Sequence, residues 1–273
     1  MHLISFDALR GFGIPETTYI KPENLPEHVN AVSKANWLLF PEYWQVNALY
    51  YGMKKPIFPS ISTYHIGHNK IEMSRVFQLL WPEHVPETHI LPNTYTNRQL
   101  IPDVLDFPFV AKTPKESMGN GVWLIDNLAA WENYADTHDI FYAQEYLPID
   151  RDLRLVVIGR KVVTGYWRCC PPGGFHANLS RGGCIDLSAI PDNAIELVET
   201  IARTLNVDHA GFDIAEMDGR FYIFEFNRLF GTAGLIQKGI KPGLLIYDYL
   251  KSKTQPTTKP PVFPTLDTFR RAS

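Results

Sequence analysis

Apolar positions along this chain fall into short runs of alternating or continuous hydrophobicity, interleaved with stretches that repeat at helical spacing. That interleaving predicts a mixed α/β protein built from α+β subdomains. Near the start, Leu3–Leu9, Trp37–Phe40 and Pro56–Ile61 read as strands, and Pro26–Ala35 and Tyr43–Met53 as short helices. Gly11-Phe-Gly13 lacks the third glycine and the following helix of a dinucleotide loop, so it reads as a turn. Asn69–Leu80 predicts an amphipathic helix with Ile71, Val76, Leu79 and Leu80 toward the core. Residues 107–112 and 122–125 then read as strands, Leu128–His138 as a helix and Ile140–Tyr146 as a strand. Leu153–Ile158 and Lys161–Trp167 form a hairpin about Gly159-Arg160. Ala194–Leu205 has a clean apolar side of Ile195, Val198, Ile201, Ala202 and Leu205, and a last short helix covers Leu244–Leu250. Residues 252–273, rich in proline and threonine, read as an extended tail.

One strand pair breaks the expected division into apolar inside and polar outside. Gly211 to Asn227 reads as a hairpin carrying Asp213, Glu225 and Asn227 among Phe212, Ile214, Phe221, Ile223 and Phe226. Strict alternation places Phe221, Ile223, Glu225 and Asn227 on one face and Tyr222, Phe224 and Phe226 on the other. The turn then decides where Asp213 goes. A two-residue Asp218-Gly219 loop pairs Asp213 with Phe224 and sends it away from Glu225. A three-residue Met217-Asp218-Gly219 loop with a bulge at Gly219 pairs it with Ile223, leaving both carboxylates on one face roughly 7–8 Å apart. Two carboxylates and a carboxamide that converge suit a magnesium–nucleotide site, so metal binding calls for the bulged turn.

Composition narrows the setting. With 273 residues the chain can bury a large core or two modest ones, and its net charge of −3 gives no pull toward nucleic acid or a membrane surface. Cys169, Cys170 and Cys184 have no metal-ligand spacing, and so few cysteines fit a reducing compartment. No apolar run approaches the ~18 residues of a membrane span, and the first residues lack the basic start of a signal peptide. The expectation is a cytoplasmic protein that meets neither membrane nor nucleic acid; assembly into a homo-oligomer is left open.

Three further segments carry chemistry. Phe107-Pro-Phe-Val-Ala-Lys112 ends an apolar strand in a lysine, and the loop that follows contains Gly119 and Gly121. Backbone N–H groups of such a loop approach phosphate oxygens closely, and the lysine adds fixed charge. No Gly-Lys-Ser/Thr precedes a helix, which excludes a Walker loop. Next, Phe141-Tyr-Ala-Gln-Glu-Tyr-Leu147 breaks into a connector bearing acids and arginines, Pro148-Ile-Asp-Arg-Asp-Leu-Arg154. Last, Cys169 to Gly183 is a long loop with four glycines, the kind of ordered loop that is often functional.

In this order the segments resemble the ATP-grasp superfamily, and within it the RimK-like carboxylate–amine ligases. The resemblance runs from about Asn69 to Leu250 and is carried by Gln144-Glu-Tyr-Leu147, Asp152-Leu-Arg154, Asn178-Leu-Ser-Arg-Gly-Gly183, Gly211-Phe-Asp213 and Glu225-Phe-Asn227. It implies an ATP-grasp fold at residues 63–251, with two subdomains meeting at a connector near 144–148. An abbreviated N-terminal α/β region, residues 1–62, precedes it. It implies ATP and Mg²⁺, or Mn²⁺ in its place, as cofactors. Lys70 and Lys112 would reach the phosphates, with Gly119 and Gly121 folding over them. Glu145, Tyr146 and Leu147 would meet adenine, Asp152 the ribose, and Asn178 the reacting centre. Arg181, Arg154 and Arg168 would line that centre as catalytic cations, and Asp213, Glu225 and Asn227 would hold the metal.

The implied reaction activates a small-molecule or peptide carboxylate as an acylphosphate and joins it to an amine. Arginine's planar fork suits the carboxylate and acylphosphate. Two alternatives stay open: an ATP-grasp kinase that stops at phosphoryl transfer, and a nucleotide-binding regulatory or scaffold protein without ligase activity. The chain departs from the family where Arg228-Leu-Phe-Gly231 replaces a small run ending in Pro-Gly, and where His176-Ala177 replaces Arg-Ser before Asn178.

Overall fold

The computed structural model describes residues 1–114, 121–169 and 183–254. In chain order the first elements are β1 (Leu3–Ser5), α1 (Ala8–Gly11), β2 (Thr17–Tyr19), α2 (Val29–Lys34), β3 (Trp37–Leu39), α3 (Tyr43–Asn47), β4 (Ile57–Phe58) and α4 (Ile61–Ile66). The strands form a parallel sheet of order β2-β1-β3-β4. Both its faces are covered, as parallel sheets require. Ile4, Leu38 and Ile57 pack under the helices with Val32, Val46 and Tyr64, whereas Leu3, Leu39 and Phe58 pack toward the rest of the chain. The strand expected over Leu3–Leu9 ends at Ser5, because the Asp7 side chain caps α1 by accepting from the backbone N–H groups of Leu9 and Arg10. Pro56–Ile61 is likewise cut short by α4, capped by Ser60.

The middle of the chain contributes α5 (Lys70–Leu80), β5 (Thr88–Pro92), α6 (Tyr95–Val104), β6 (Phe109–Lys112), β7 (Val122–Ile125), α7 (Leu128–Ala135) and β8 (Ile140–Glu145). An antiparallel sheet of order β5-β8-β6-β7 rests one face on α6 and α7 through Phe109, Ala111, Phe141, Ala143 and Trp131. Strand alternation turns Lys112, Tyr142 and Gln144 to its other face. Neither β5 nor α6 was expected from the hydrophobic pattern; α6 contains Pro102 and has Ile101 as its one buried residue.

The third part comprises β9 (Arg151–Ile158), β10 (Lys161–Cys169), β11 (Cys184–Asp186), α8 (Asp192–Thr204), β12 (His209–Met217), β13 (Arg220–Asn227), α9 (Ala233–Gln237) and α10 (Pro242–Lys253). Its five strands form an antiparallel sheet, β11-β10-β9-β12-β13. Leu153, Leu155, Phe212, Ile214, Phe221, Ile223 and Phe226 bury one face under α5 and α8. On the other face, Val156, Ile158 and Tyr166 meet the N-terminal sheet together with Leu235 and Leu250. In α5 the buried side is Met73, Ser74 and Phe77. The face expected to be buried is not: Leu79 is 81% exposed. Phe77 seats its ring against Phe226, and that contact sets the helix's rotation. α10 continues to Lys253, so the expected tail from 252 begins inside a helix, and residues 255–273 lie outside the described ones.

Candidate functional site

The hairpin of β12 and β13 departs from both registers considered for it. Its turn has two residues, Asp218 and Gly219, both in the left-handed region at φ 53° and 75°, as a primed hairpin turn requires. Pairing runs Met217 with Arg220, Glu216 with Phe221, Ala215 with Tyr222 and Ile214 with Ile223. The register then shifts and Asp213 faces Glu225. The bulge is therefore in the strand, with Phe224 as the extra residue, and not in the turn. Its consequence is a change of parity. Phe221 and Ile223 point to the core, Phe226 rejoins them beyond the bulge, and Glu225 and Asn227 pass to the opposite face with Asp213. The expected grouping of Glu225 and Asn227 with Phe221 and Ile223 is thus corrected, while the two carboxylates do come together.

The same face of the sheet carries three more charged groups from neighbouring strands. Arg154 on β9 pairs with Asp213, and Arg168 on β10 with Asp152. Arg154 donates from Nε to Asp213 Oδ1 and from Nη2 to Oδ2, the latter at 2.9 Å. Arg168 donates to both oxygens of Asp152 at 2.7 Å and lies 3.1 Å from Asp213 Oδ1. All four side chains are nearly buried. Burial alone would raise the Asp213 pKa, but the Arg154 and Arg168 guanidiniums outweigh it and hold the carboxyl below its usual range. Asp152 moves the other way: burial pushes it up more than Arg168 pulls it down. Gly211 makes the first of these pairs possible. A Cβ there would meet the Arg154 side chain at 2.9 Å and Phe230 at 3.0 Å. This explains physically why a glycine precedes Phe212-Asp213.

Lys112 reaches the site from the facing sheet. Its ammonium donates to Gln144 Oε1 at 2.6 Å, and Gln144 in turn donates to Thr88 Oγ1 at 2.7 Å. The rings of Tyr142 and Phe224 each lie 5.5 Å from Nζ, so the bulge residue closes over the lysine. Tyr142 is held by Ser74 at 2.6 Å. Burial lowers the Lys112 pKa to about 8, partly offset by Glu225. Lys70, the first residue of α5, places Nζ 3.6 Å from Glu225 Oε2, and Asn227 donates to Glu225 Oε1 at 2.9 Å. The sequence assigned no site role to Gln144, Thr88, Tyr142 or Phe224. Their one signal was alternation along β8, which puts Gln144 on the face of Lys112.

The remaining expected residues are more scattered. Glu145 closes β8: its N–H donates to the Glu87 carbonyl at 2.8 Å, and its carboxylate accepts from the Glu87 N–H at 3.1 Å. Tyr146 is half-buried and Leu147 buried at the start of the connector. Gly121 begins the segment after β6, and its carbonyl accepts from Thr113 at 2.8 Å. Gly119, Asn178 and Arg181 lie outside the described residues.

Among the described residues no group of three His, Cys, Asp or Glu side chains forms a metal cluster. The set here is two carboxylates and a carboxamide on paired strands. Oxygen-only donors of this kind fit a hard cation such as Mg²⁺, which commonly takes one or two carboxylates and leaves other positions to phosphates and water. Asp213 Oδ2 accepts from Arg154 alone and retains a second lone pair, whereas Oδ1 meets both Arg154 and Arg168. The donor chemistry is compatible with the ion.

Two facing sheets, one presenting Lys112 and the other Asp213 and Glu225, are the arrangement of the ATP-grasp fold. Solved structures share the fold. An ATP-grasp RimK domain protein from Sphaerobacter thermophilus superposes with a TM-score of 0.69 at 17% identity, over 91% of this chain and 99% of that one. D-alanine–D-alanine ligase from Bacillus anthracis, complexed with ATP, gives 0.65 at 13% identity over 93% and 97%. The RimK-like ATP-grasp domain profile matches residues 71–246, and the chain belongs to that family. Membership implies use of ATP and a divalent metal. Among relatives, a probable alpha-L-glutamate ligase from an Enterobacter species is 32% identical over 157 residues, 55% of this chain and 52% of the relative. A ribosomal protein bS6–L-glutamate ligase from Escherichia fergusonii is 31% identical over the same shares. The match thus spans about half the length of these relatives. No helix among the described residues is long and apolar enough to cross a membrane.

Proposed function

We propose that this protein is an ATP- and Mg²⁺-dependent ligase that activates a carboxylate as an acylphosphate and joins it to an amine. The observation that carries the reading is Asp213 opposite Glu225 on one sheet, with Lys112 facing them from the other. Lys112 and Lys70 bind the nucleotide's phosphates, and the family resemblance assigns Gly121 and Gly119, the latter outside the described residues, to the same phosphates. The edge at Glu145, Tyr146 and Leu147 receives the adenine, and Asp152 lies toward the ribose. Asp213, Glu225 and Asn227 would hold Mg²⁺, which would supply neutralisation of the phosphate charge. Arg154 and Arg168 stabilise the transferring phosphoryl group and the acylphosphate, and the family resemblance assigns Arg181 and Asn178, outside the described residues, to the same reaction.

Arg154 and Arg168 are poised for that role by their pairing. Fixed by two carboxylates, they pay no reorganisation when charge develops on the substrate. The relatives' names supply the first substrates to test: L-glutamate as the amine, with a protein or small-molecule carboxylate as its partner. The protein is a cytoplasmic enzyme in this reading. ADP release should require Mg²⁺, a carboxylate and an amine together, and the product should gain the mass of the amine less water. A phosphorylated product without amide would make it a kinase. Nucleotide binding with no turnover against any pool would make it a scaffold.

A further inference from the structure

The residue after the last expected metal ligand is Arg228, and the structure holds it from two directions. Its carbonyl oxygen accepts a hydrogen bond from Nδ1 of His209 at 3.1 Å. His209 is enclosed by the rings of Phe40, Phe58 and Phe230, with centroids at 5.4, 5.3 and 4.8 Å. Burial lowers its pKa to about 3, so the imidazole stays neutral and keeps its Nδ1 proton on that carbonyl. The Arg228 guanidinium lies 4.7 Å over the ring of Tyr64, a fully buried residue of α4 whose hydroxyl donates to the Pro41 carbonyl at 2.6 Å. The side chain thus spans from the end of β13 to the N-terminal part of the chain.

Arg228 differs in charge balance from the arginines that line the site. Arg154 has Asp213, Arg168 has Asp152, Arg151 has Asp186 and Arg10 has Asp7. Among the described residues the half-buried Arg228 guanidinium has neither an ion pair nor a hydrogen bond; its one contact is the Tyr64 ring. The neighbouring acids are committed elsewhere. Asp208 accepts from the Ser60 N–H at 2.7 Å, and Glu42 caps α3. Arg10 adds a second positive charge near Tyr64 and His209. A partly desolvated, immobilised cation without a counter-ion favours an incoming anion.

We infer that Arg228 is the docking contact for a carboxylate of the second substrate and sets the preference for a carboxylate-bearing molecule over its neutral amide. The inference rests on the ligase reading and deepens it. A carboxylate approaching a nucleotide triphosphate meets like charge, and a fixed guanidinium one residue from Asn227 offsets that repulsion. The planar fork offers two parallel N–H groups to a carboxylate, which lysine cannot reproduce.

The test is an NMR titration of arginine-labelled protein, with the Arg228 Nε–H signal assigned by its loss in Arg228→Lys. Succinate and glutarate are added with and without magnesium and a non-hydrolysable ATP analogue; succinamide and glutaramide, which carry no carboxylate, serve as neutral controls. Saturable movement of the Arg228 signal with both carboxylates and neither amide is expected. Arg228→Gln should weaken carboxylate affinity at least tenfold while nucleotide affinity stays within twofold, with Arg228→Lys intermediate. An unmoved signal, equal movement with the amides, or unchanged carboxylate affinity in Arg228→Gln overturns the inference. Failure of the ligase reading shows separately, as absence of Mg²⁺-dependent ADP release and of amide product from the wild type.

Discussion

The two faces of the five-stranded sheet are made from alternate residues of the same strands, yet they are stabilised by different physics. Leu153, Leu155, Phe212 and Ile214 bury one face under α5 and α8, where the stabilisation is area removed from water and close packing. Their sequence neighbours Asp152, Arg154 and Asp213 are just as buried on the other face, where each charge requires a partner because desolvation is otherwise unrepaid. The apolar face tolerates change in proportion to volume. The charged face is all or nothing, and the bulge at Phe224 decides which residues belong to it.

The largest disturbance is therefore deletion of Phe226, which turns Asn227 into the core, as any one-residue slip does. Deletion of Phe224, the extra residue, instead leaves Ile223 inward and Glu225 opposite Asp213. The first variant should lose its cooperative thermal transition and the second should keep it; a Phe224 deletion that fails to fold would refute the bulge account. Next comes Arg154→Ala, which strands the buried Asp213 carboxylate and should cost about 3–5 kcal/mol in urea unfolding. Replacing both partners, Arg154→Met with Asp213→Leu, should recover most of that loss while ablating nucleotide use. Equal losses in the single and double variants would show that the pair is not what makes this face costly to break.

A smaller effect comes from Lys112. Burial lowers its pKa to about 8, so its ammonium is present below that pH and is lost as pH rises through it. Nucleotide affinity should fall about tenfold between pH 7 and 9, the worth of one charge-assisted hydrogen bond. Lys112→Arg should flatten the profile. The stability sign is opposite. The folded state releases this proton before the unfolded chain does, so the lysine's penalty applies below about pH 8 and fades as pH rises toward its ordinary value. A nucleotide affinity independent of pH in the wild type would remove Lys112 from the phosphate contacts.

The sequence disclosed whatever was local. Leu153–Ile158 and Lys161–Trp167 were legible as a hairpin because alternation and the Gly159-Arg160 turn agree, and β9 and β10 extend that reading by a few residues. Ala194–Leu205 was legible because its apolar stripe is continuous. What stayed hidden depends on non-local packing. No pattern marks Phe224 as a bulge, since the shift arises only when β13 pairs with β12. The buried side of α5 is selected by Phe226 rather than by its leucines. Within the site, Asp213 and Glu225 were found as chemistry out of place on a strand. Gln144 and Thr88, which hold Lys112, were not, because a polar pair looks ordinary until a buried ammonium sits beside it.

Calorimetric titration with a magnesium-loaded, non-hydrolysable ATP analogue tests the central claim most directly, comparing the wild type with Glu225→Gln, which preserves shape and removes one charge. The account predicts one saturable site per chain in the wild type, lost by at least a hundredfold in the variant while its unfolding transition is unchanged. Equal affinity in the two proteins, or no binding to the wild type, would contradict it.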